Sequence, residues 1–169
     1  MTDIKKDDLI LYVVKKLNEV GSWAGNTHIQ KIIYLAQSAS NSDLYDFALY
    51  HYGPYSFELR EDVDFLTISN YLERDVDEFG YHYRLSRPLE PSIPTEMQEK
   101  IDKIVKVFGK APTTLLELIT TVDFVARKHP TKNEDEIVDT VRQIKPHFSE
   151  KAIKLALKWL KEDFKEMFK

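Results

Sequence analysis

The chain has no cysteine among its 169 residues, which removes disulfide staples, thiolate metal sites, zinc fingers and cysteine nucleophiles together and fits a reducing compartment. Glycine is almost as scarce. Its five copies stand singly at 21, 25, 53, 80 and 109, so no glycine-rich loop is available to cradle a nucleotide phosphate. Long apolar runs are missing as well. The stretch Leu9 to Val14 is six residues long and flanked by charge, too short for a signal peptide or a membrane span, so a soluble, cytoplasmic protein is expected. No Gly-x-Ser-x-Gly, His-Glu-x-x-His or Asp-x-Asp-x-Asp-Gly pattern occurs.

What is present is enough for a core. Hydrophobic residues make up 43% and aromatics 12% of a 19.8 kDa chain, a size suited to one domain or a tightly joined pair. The net charge of −4 is unevenly spread. Residues 1–92 carry 9 Lys/Arg against 15 Asp/Glu, whereas residues 93–169 carry 15 against 13. An acidic N-terminal half is poorly suited to phosphate backbones.

Helical spacing of Leu9, Val13, Leu17 and Val20 marks a first helix ended by Gly21. Thr27 and Gln30 have capping-box spacing and open a second helix to about Ala39, apolar on more than one face and therefore central. Phe47 to Tyr52 reads as one short strand stopped by Gly53-Pro54, after which Ser56 caps a third helix carrying Leu59, Val63 and Leu66. A β-hairpin is expected over Tyr71–Val76 and Tyr81–Leu85. Four further helices follow, starting near Thr95 (again with capping-box spacing, to Gln98), Thr113, Asn133 and Ser149, with His129-Pro130 ending the second of them. The fold class is α+β and predominantly helical. Residues 1–88 form a winged-helix-like part with a short strand and hairpin, 89–94 a proline-rich linker, and 95–169 a helical part packed on the first. About sixteen residues separate the second and third helices, against three or four in an ordinary helix-turn-helix.

Three segments carry a resemblance. They are Gly25-Asn26-Thr27-His28-Ile29-Gln30-Lys31-Ile32-Ile33-Tyr34-Leu35, then Phe47-Ala48-Leu49-Tyr50-His51-Tyr52-Gly53-Pro54-Tyr55-Ser56-Phe57-Glu58-Leu59, and Ile144-Lys145-Pro146-His147-Phe148-Ser149. Together they resemble the YwgA-like bacterial proteins over most of the chain. A more distant likeness, over about residues 5–85, is to the Panacea domain of antitoxins such as SocA, which shares a Gln-Lys pair on a helix and a later Tyr-Gly-Pro. The YwgA likeness implies no activity. The Panacea likeness implies a domain that binds and neutralises a partner toxin without chemistry of its own; the prolines and four-helix tail depart from its pattern.

Each motif has two readings. Tyr52-Gly53-Pro54-Tyr55-Ser56 serves either as a turn and helix cap or, with Tyr50, as an aromatic notch that grips a partner. Lys31, in a mostly apolar helix, needs a carboxylate, and Asp62 or Asp64 are the expected partners; otherwise it binds a ligand. The partner-binding set is Gln30, Lys31, Tyr34, Tyr50, Tyr52, Gly53, Pro54 and Tyr55. Lys151, Lys154, Lys158, Lys161 and Lys165 line the last helix, either as a solvated face or as a contact for nucleic acid or an acidic partner, while Leu155 and Trp159 fall off its main apolar face and hint at contact with another helix or chain. Were the third helix and hairpin to read DNA, residues 56–78 would offer Arg60 and Arg74 against eight acids.

No cofactor or metal is expected, the five histidines never standing three or four apart; a dispersed set such as His28, His51 and Asp43 is the alternative. Three function classes stay open: a non-catalytic protein-interaction module, antitoxin-like or adaptor-like, with a protein partner (a toxin or a second copy); a DNA-binding regulator acting through the basic last helix; and an enzyme with a dispersed site around Lys31, His51 and Tyr52.

Overall fold

Leu, Ile and Val residues recurring three and four apart generate seven helices in the computed structural model, which describes residues 3–129 and 133–168. These are α1 (Lys6–Glu19), α2 (Asn26–Ser40), α3 (Phe57–Ile68), α4 (Thr95–Phe108), α5 (Thr113–Lys128), α6 (Glu134–Ile144) and α7 (Glu150–Trp159). Helix α7 runs on into a π-helical turn, Leu160–Phe164, and a last short turn, Lys165–Met167. The chain is α+β and mostly helical. No helix among the described residues is long and apolar enough to cross a membrane. Pro130, expected to close α5, lies outside the described residues; His129 leaves the helix in extended conformation.

Three caps form where the sequence places them. Ser56, Asn133 and Ser149 each accept a hydrogen bond from the backbone N–H three residues on, opening α3, α6 and α7. The two capping-box spacings do something else. Helix α2 starts behind Gly25 and α4 behind Pro94, neither with a side-chain cap, and the amide of Gln98 donates to the Ile93 carbonyl instead.

Helix α2 is the hub. Ile29, Ile32, Ile33, Leu35 and Ala36 are all buried, and the helix packs on α1, α4 and α5. One hydrophobic cluster runs from Leu9, Val13 and Leu17 of α1 through α2 to Ile101 and Ile104 of α4, Leu116 and Val122 of α5 and Ile153 and Leu157 of α7. Each such aliphatic side chain contributes about 1.5–3 kcal/mol on burial.

The strands form two separate antiparallel hairpins. One pairs β3 (Leu72–Asp77) with β4 (Gly80–Leu85), as expected. It is tied to the α1–α2 connection, where Tyr83 N–H donates to the Ala24 carbonyl and the Trp23 ring lies 4.4 Å from that of His82. The other corrects the expectation of one strand over Phe47–Tyr52. Here β1 (Ala48–Tyr50) turns at His51-Tyr52 and pairs with β2 (Gly53–Tyr55), so Gly53 and Pro54 begin a strand rather than stop one. A two-residue loop makes Tyr50 and Gly53 the closing pair and leaves Leu49 and Pro54 as the next, whose backbone groups point away from each other. Pro54 therefore forfeits no ladder bond by lacking an N–H.

Gly53 sits at φ +99°, and a Cβ there would come 2.7 Å from Thr121 Oγ1 of α5, a β-branched side chain held stiff by its helix. Gly80 has φ +112° but open space around it. The two glycines separate strain from collision. In urea unfolding, Gly80→Ala is expected to cost about 1–2 kcal/mol, and Gly53→Ala at least about 3 kcal/mol.

Candidate functional site

A three-residue strand pair is not stable alone. The β1–β2 hairpin is held by side chains from three other places, two of them the segments that stood out in the sequence. From α2, the Gln30 amide brackets Ser56: its Nε2 donates to the Ser56 carbonyl at 2.9 Å and its Oε1 accepts from the Ser56 N–H at 3.0 Å. This is the use of Gln30 in place of a capping box. Next to it the Lys31 ammonium donates to the Pro54 carbonyl at 2.6 Å. From the α6–α7 connection, the Lys145 ammonium donates to the carbonyls of Tyr50 (3.3 Å) and His51.

The third support is α5, and nothing in the sequence singled it out. Buried Glu117 lies 3.9 Å from Lys145 Nζ and accepts from His147 Nε2 at 3.1 Å. The partner of Lys31 is thus not Asp62 or Asp64. Asp62 instead accepts from the Tyr45 hydroxyl at 2.5 Å, and Asp64 faces Arg74 on the surface. Two buried ammonium groups, one buried carboxylate and three backbone carbonyls make up the centre. Burial lowers Lys31 from 10.5 to about 8, with Glu117 acting against that fall and Lys145 adding to it. The neighbouring Thr121 hydroxyl, also buried, finds no hydrogen-bond partner among the described residues.

The outward side of the hairpin is aromatic. The rings of Tyr50, Tyr55 and Phe57 touch one another at centroid distances of 5.8, 5.2 and 5.1 Å, and His51 lies 4.2 Å from Tyr50. Arg60 reaches the Tyr55 hydroxyl at 3.3 Å. Tyr50 is nevertheless 49% exposed, Phe57 59% and Tyr52 69%. The expected partner-binding set therefore divides by depth. Tyr50, Tyr52 and Tyr55 reach the surface, whereas Gln30, Lys31, Gly53 and Pro54 are buried and act on the hairpin's backbone.

Tyr34, the remaining member, is buried elsewhere: its hydroxyl donates to Asp123 at 2.8 Å, as does that of Ser38, and Arg127 closes the pair at 3.0 Å. Phe57 was missed as a site residue, although its distance from Tyr55, two residues along, made it a neighbour by number. The five lysines of the last helix are all exposed, with Lys154 paired to Glu150 and Lys161 to Glu134. His28, His51 and Asp43 do not assemble a metal set. His28 is buried, Nε2 donating to the Ala111 carbonyl, and no group of three His, Asp or Glu among the described residues could hold a metal ion.

Lys31 gives a signed pH dependence. Between pH about 8 and 10.5 the folded chain has released its proton while the unfolded chain still holds it, so stability rises with pH across that window. Lys31→Met removes this term and leaves the Pro54 carbonyl bare, so the variant is expected to be less stable at neutral pH by about 1–3 kcal/mol. The gap should then widen by up to about 3 kcal/mol as the pH is raised to 10.5. Paired urea titrations check both, and a gap that narrows contradicts the buried, depressed lysine. No protein-family model matches the chain, and no curated protein sequence matches it significantly.

Proposed function

We propose that the chain is a non-catalytic protein-interaction module, antitoxin-like or adaptor-like and at work in the cytoplasm, whose contact surface is the aromatic hairpin. One observation carries the reading: three aromatic side chains, Tyr50, Tyr52 and Tyr55, are displayed, with Phe57 of α3 beside them, on a hairpin whose backbone is fixed from behind by Gln30, Lys31 and Lys145. Tyrosine offers large contact area with few rotors to freeze, and a preformed surface loses little entropy when it binds. The polar centre behind it is suited to holding and not to chemistry, since the Lys31 ammonium faces a carbonyl at 2% residue exposure.

The order of two helices, a short hairpin, a third helix and a second hairpin supports a winged-helix-like ancestry for the N-terminal part. It does not favour DNA as the ligand. Glu58, Glu61, Asp62 and Asp64 stud α3, and on the last helix Glu150, Glu162 and Asp163 interleave with the lysines.

Placing a photo-crosslinking residue at Tyr52 in the native host tests the reading. A discrete adduct is expected, reduced about tenfold or more by Tyr50→Ala or Phe57→Ala, with melting temperatures close to the parent. No adduct, or an equal one from exposed Lys106, sinks it.

A further inference from the structure

The C-terminal region carries a second apolar surface, separate from the aromatic hairpin. A cleft of about 580 Å³ opens between α4, α5 and α7, walled by Val107, Leu115, Leu118, Leu155 and Trp159 among others. Its wall is firm at one end, where Trp159 packs edge-on against Phe108 at 5.3 Å. Leu155 is not on the floor. It is 59% exposed and borders both this cleft and the shallow lysine-lined surface on the other flank of α7. A protruding leucine on α7 beside a hole of matching character is complementary to itself: a two-fold axis places each protrusion in the other copy's hole.

The charges select the same arrangement. Glu162 and Asp163 belong to the π-helical turn and line the cleft near Trp159, while Lys151 stands beside Leu155 a turn before it. Lys154 and Lys161 are engaged within the chain by Glu150 and Glu134. The exposed face of this helix thus carries Lys151 and Lys158 before the π turn and Glu162 and Asp163 within it. Leu157 lies midway between Leu155 and Trp159, and equally midway between Lys151 and Asp163. An antiparallel pairing about an axis at the level of Leu157 lays each Leu155 on the partner's Trp159 and sets each Lys151 opposite the partner's Asp163. A parallel pairing would set lysine against lysine. Nucleic acid would meet the acids at the cleft's end.

We infer that this face docks a second copy of the chain, giving an isologous dimer through antiparallel α7 helices. The dimer leaves the aromatic hairpin free, since the two surfaces share no residue, and so does not depend on the function proposed above.

Sedimentation equilibrium of the full chain over a wide concentration range decides the matter. The mass should rise from 19.8 kDa towards a plateau at twice that value. Leu155→Glu should raise the dissociation constant at least about a hundredfold with the circular dichroism spectrum and melting temperature unchanged. Lys151→Asp and Asp163→Lys should each weaken the dimer about fivefold, and the double variant should recover most of the loss. A monomer at every concentration, association that continues beyond two, an indifferent Leu155→Glu variant or a double variant weaker than either single change would each overturn the inference.

Discussion

Two lysine ammonium groups taken out of water, Lys31 and Lys145, must find oxygen atoms, and the fold satisfies them with the backbone of one short hairpin. Much of the hairpin's sequence follows from that demand. Pro54 is tolerated because its position faces away from the paired strand, and the same geometry leaves its carbonyl aimed at Lys31. Gly53 is required because α5 comes too close for a side chain. Glu117 of α5 offsets the charge of both cations. A buried ion cluster of this kind adds little net stability, since desolvation cancels most of the attraction, but removing one member leaves the others uncompensated. Its effect is to admit one placement of the hairpin and penalise the rest.

That placement is what a binding surface needs. Exposed aromatic rings on a mobile loop lose their freedom when they bind, and the loss is subtracted from affinity. Here the rings of Tyr50, Tyr55 and Phe57 pack on one another above a backbone gripped at residues 50, 51, 54 and 56. The link from sequence to the proposed contact surface therefore runs through the backbone. Gln30 and Lys31 are legible as a pair on a helix, yet what they recognise is carbonyl and amide groups, which any residue carries.

This explains which parts could be read in advance. Helices α3, α6 and α7 were legible because caps and apolar periodicity act within a few residues, and the β3–β4 hairpin because its strands are adjacent and its turn is short. The β1–β2 hairpin was misread as one strand because the rule that proline ends a strand assumes a hydrogen-bonded position, and register is a property of the pair. Lys31 was expected to face Asp62 or Asp64 because a buried lysine suggests a carboxylate, and the third helix offers those two. Its actual neighbours, Pro54, Glu117 and Lys145, are brought in by the packing of α2 on α5 and by the chain's return after α6. Three segments could be singled out by residue type; that they meet at one point is a tertiary fact. Glu117 carried no signal at all, being one of the chain's 28 acidic residues.

The division of charge along the chain takes on meaning in the same terms. An acidic α3 beside the aromatic hairpin and a mixed basic–acidic α7 at the far end are surfaces of different kinds. Near the hairpin, Glu58 is paired with Lys6, Asp62 accepts from Tyr45 and Arg60 reaches Tyr55, so the excess acid of α3 lies on a surface that disfavours nucleic acid. Along α7 and its π turn the order of Lys151 and Lys158, then Glu162 and Asp163, gives little net field but a fixed polarity, which suits recognition of a sequence running the opposite way. A surface with large net charge attracts many ligands of the other sign, whereas one with an ordered arrangement accepts few, and the dimer inferred above would read the chain's own α7 in reverse.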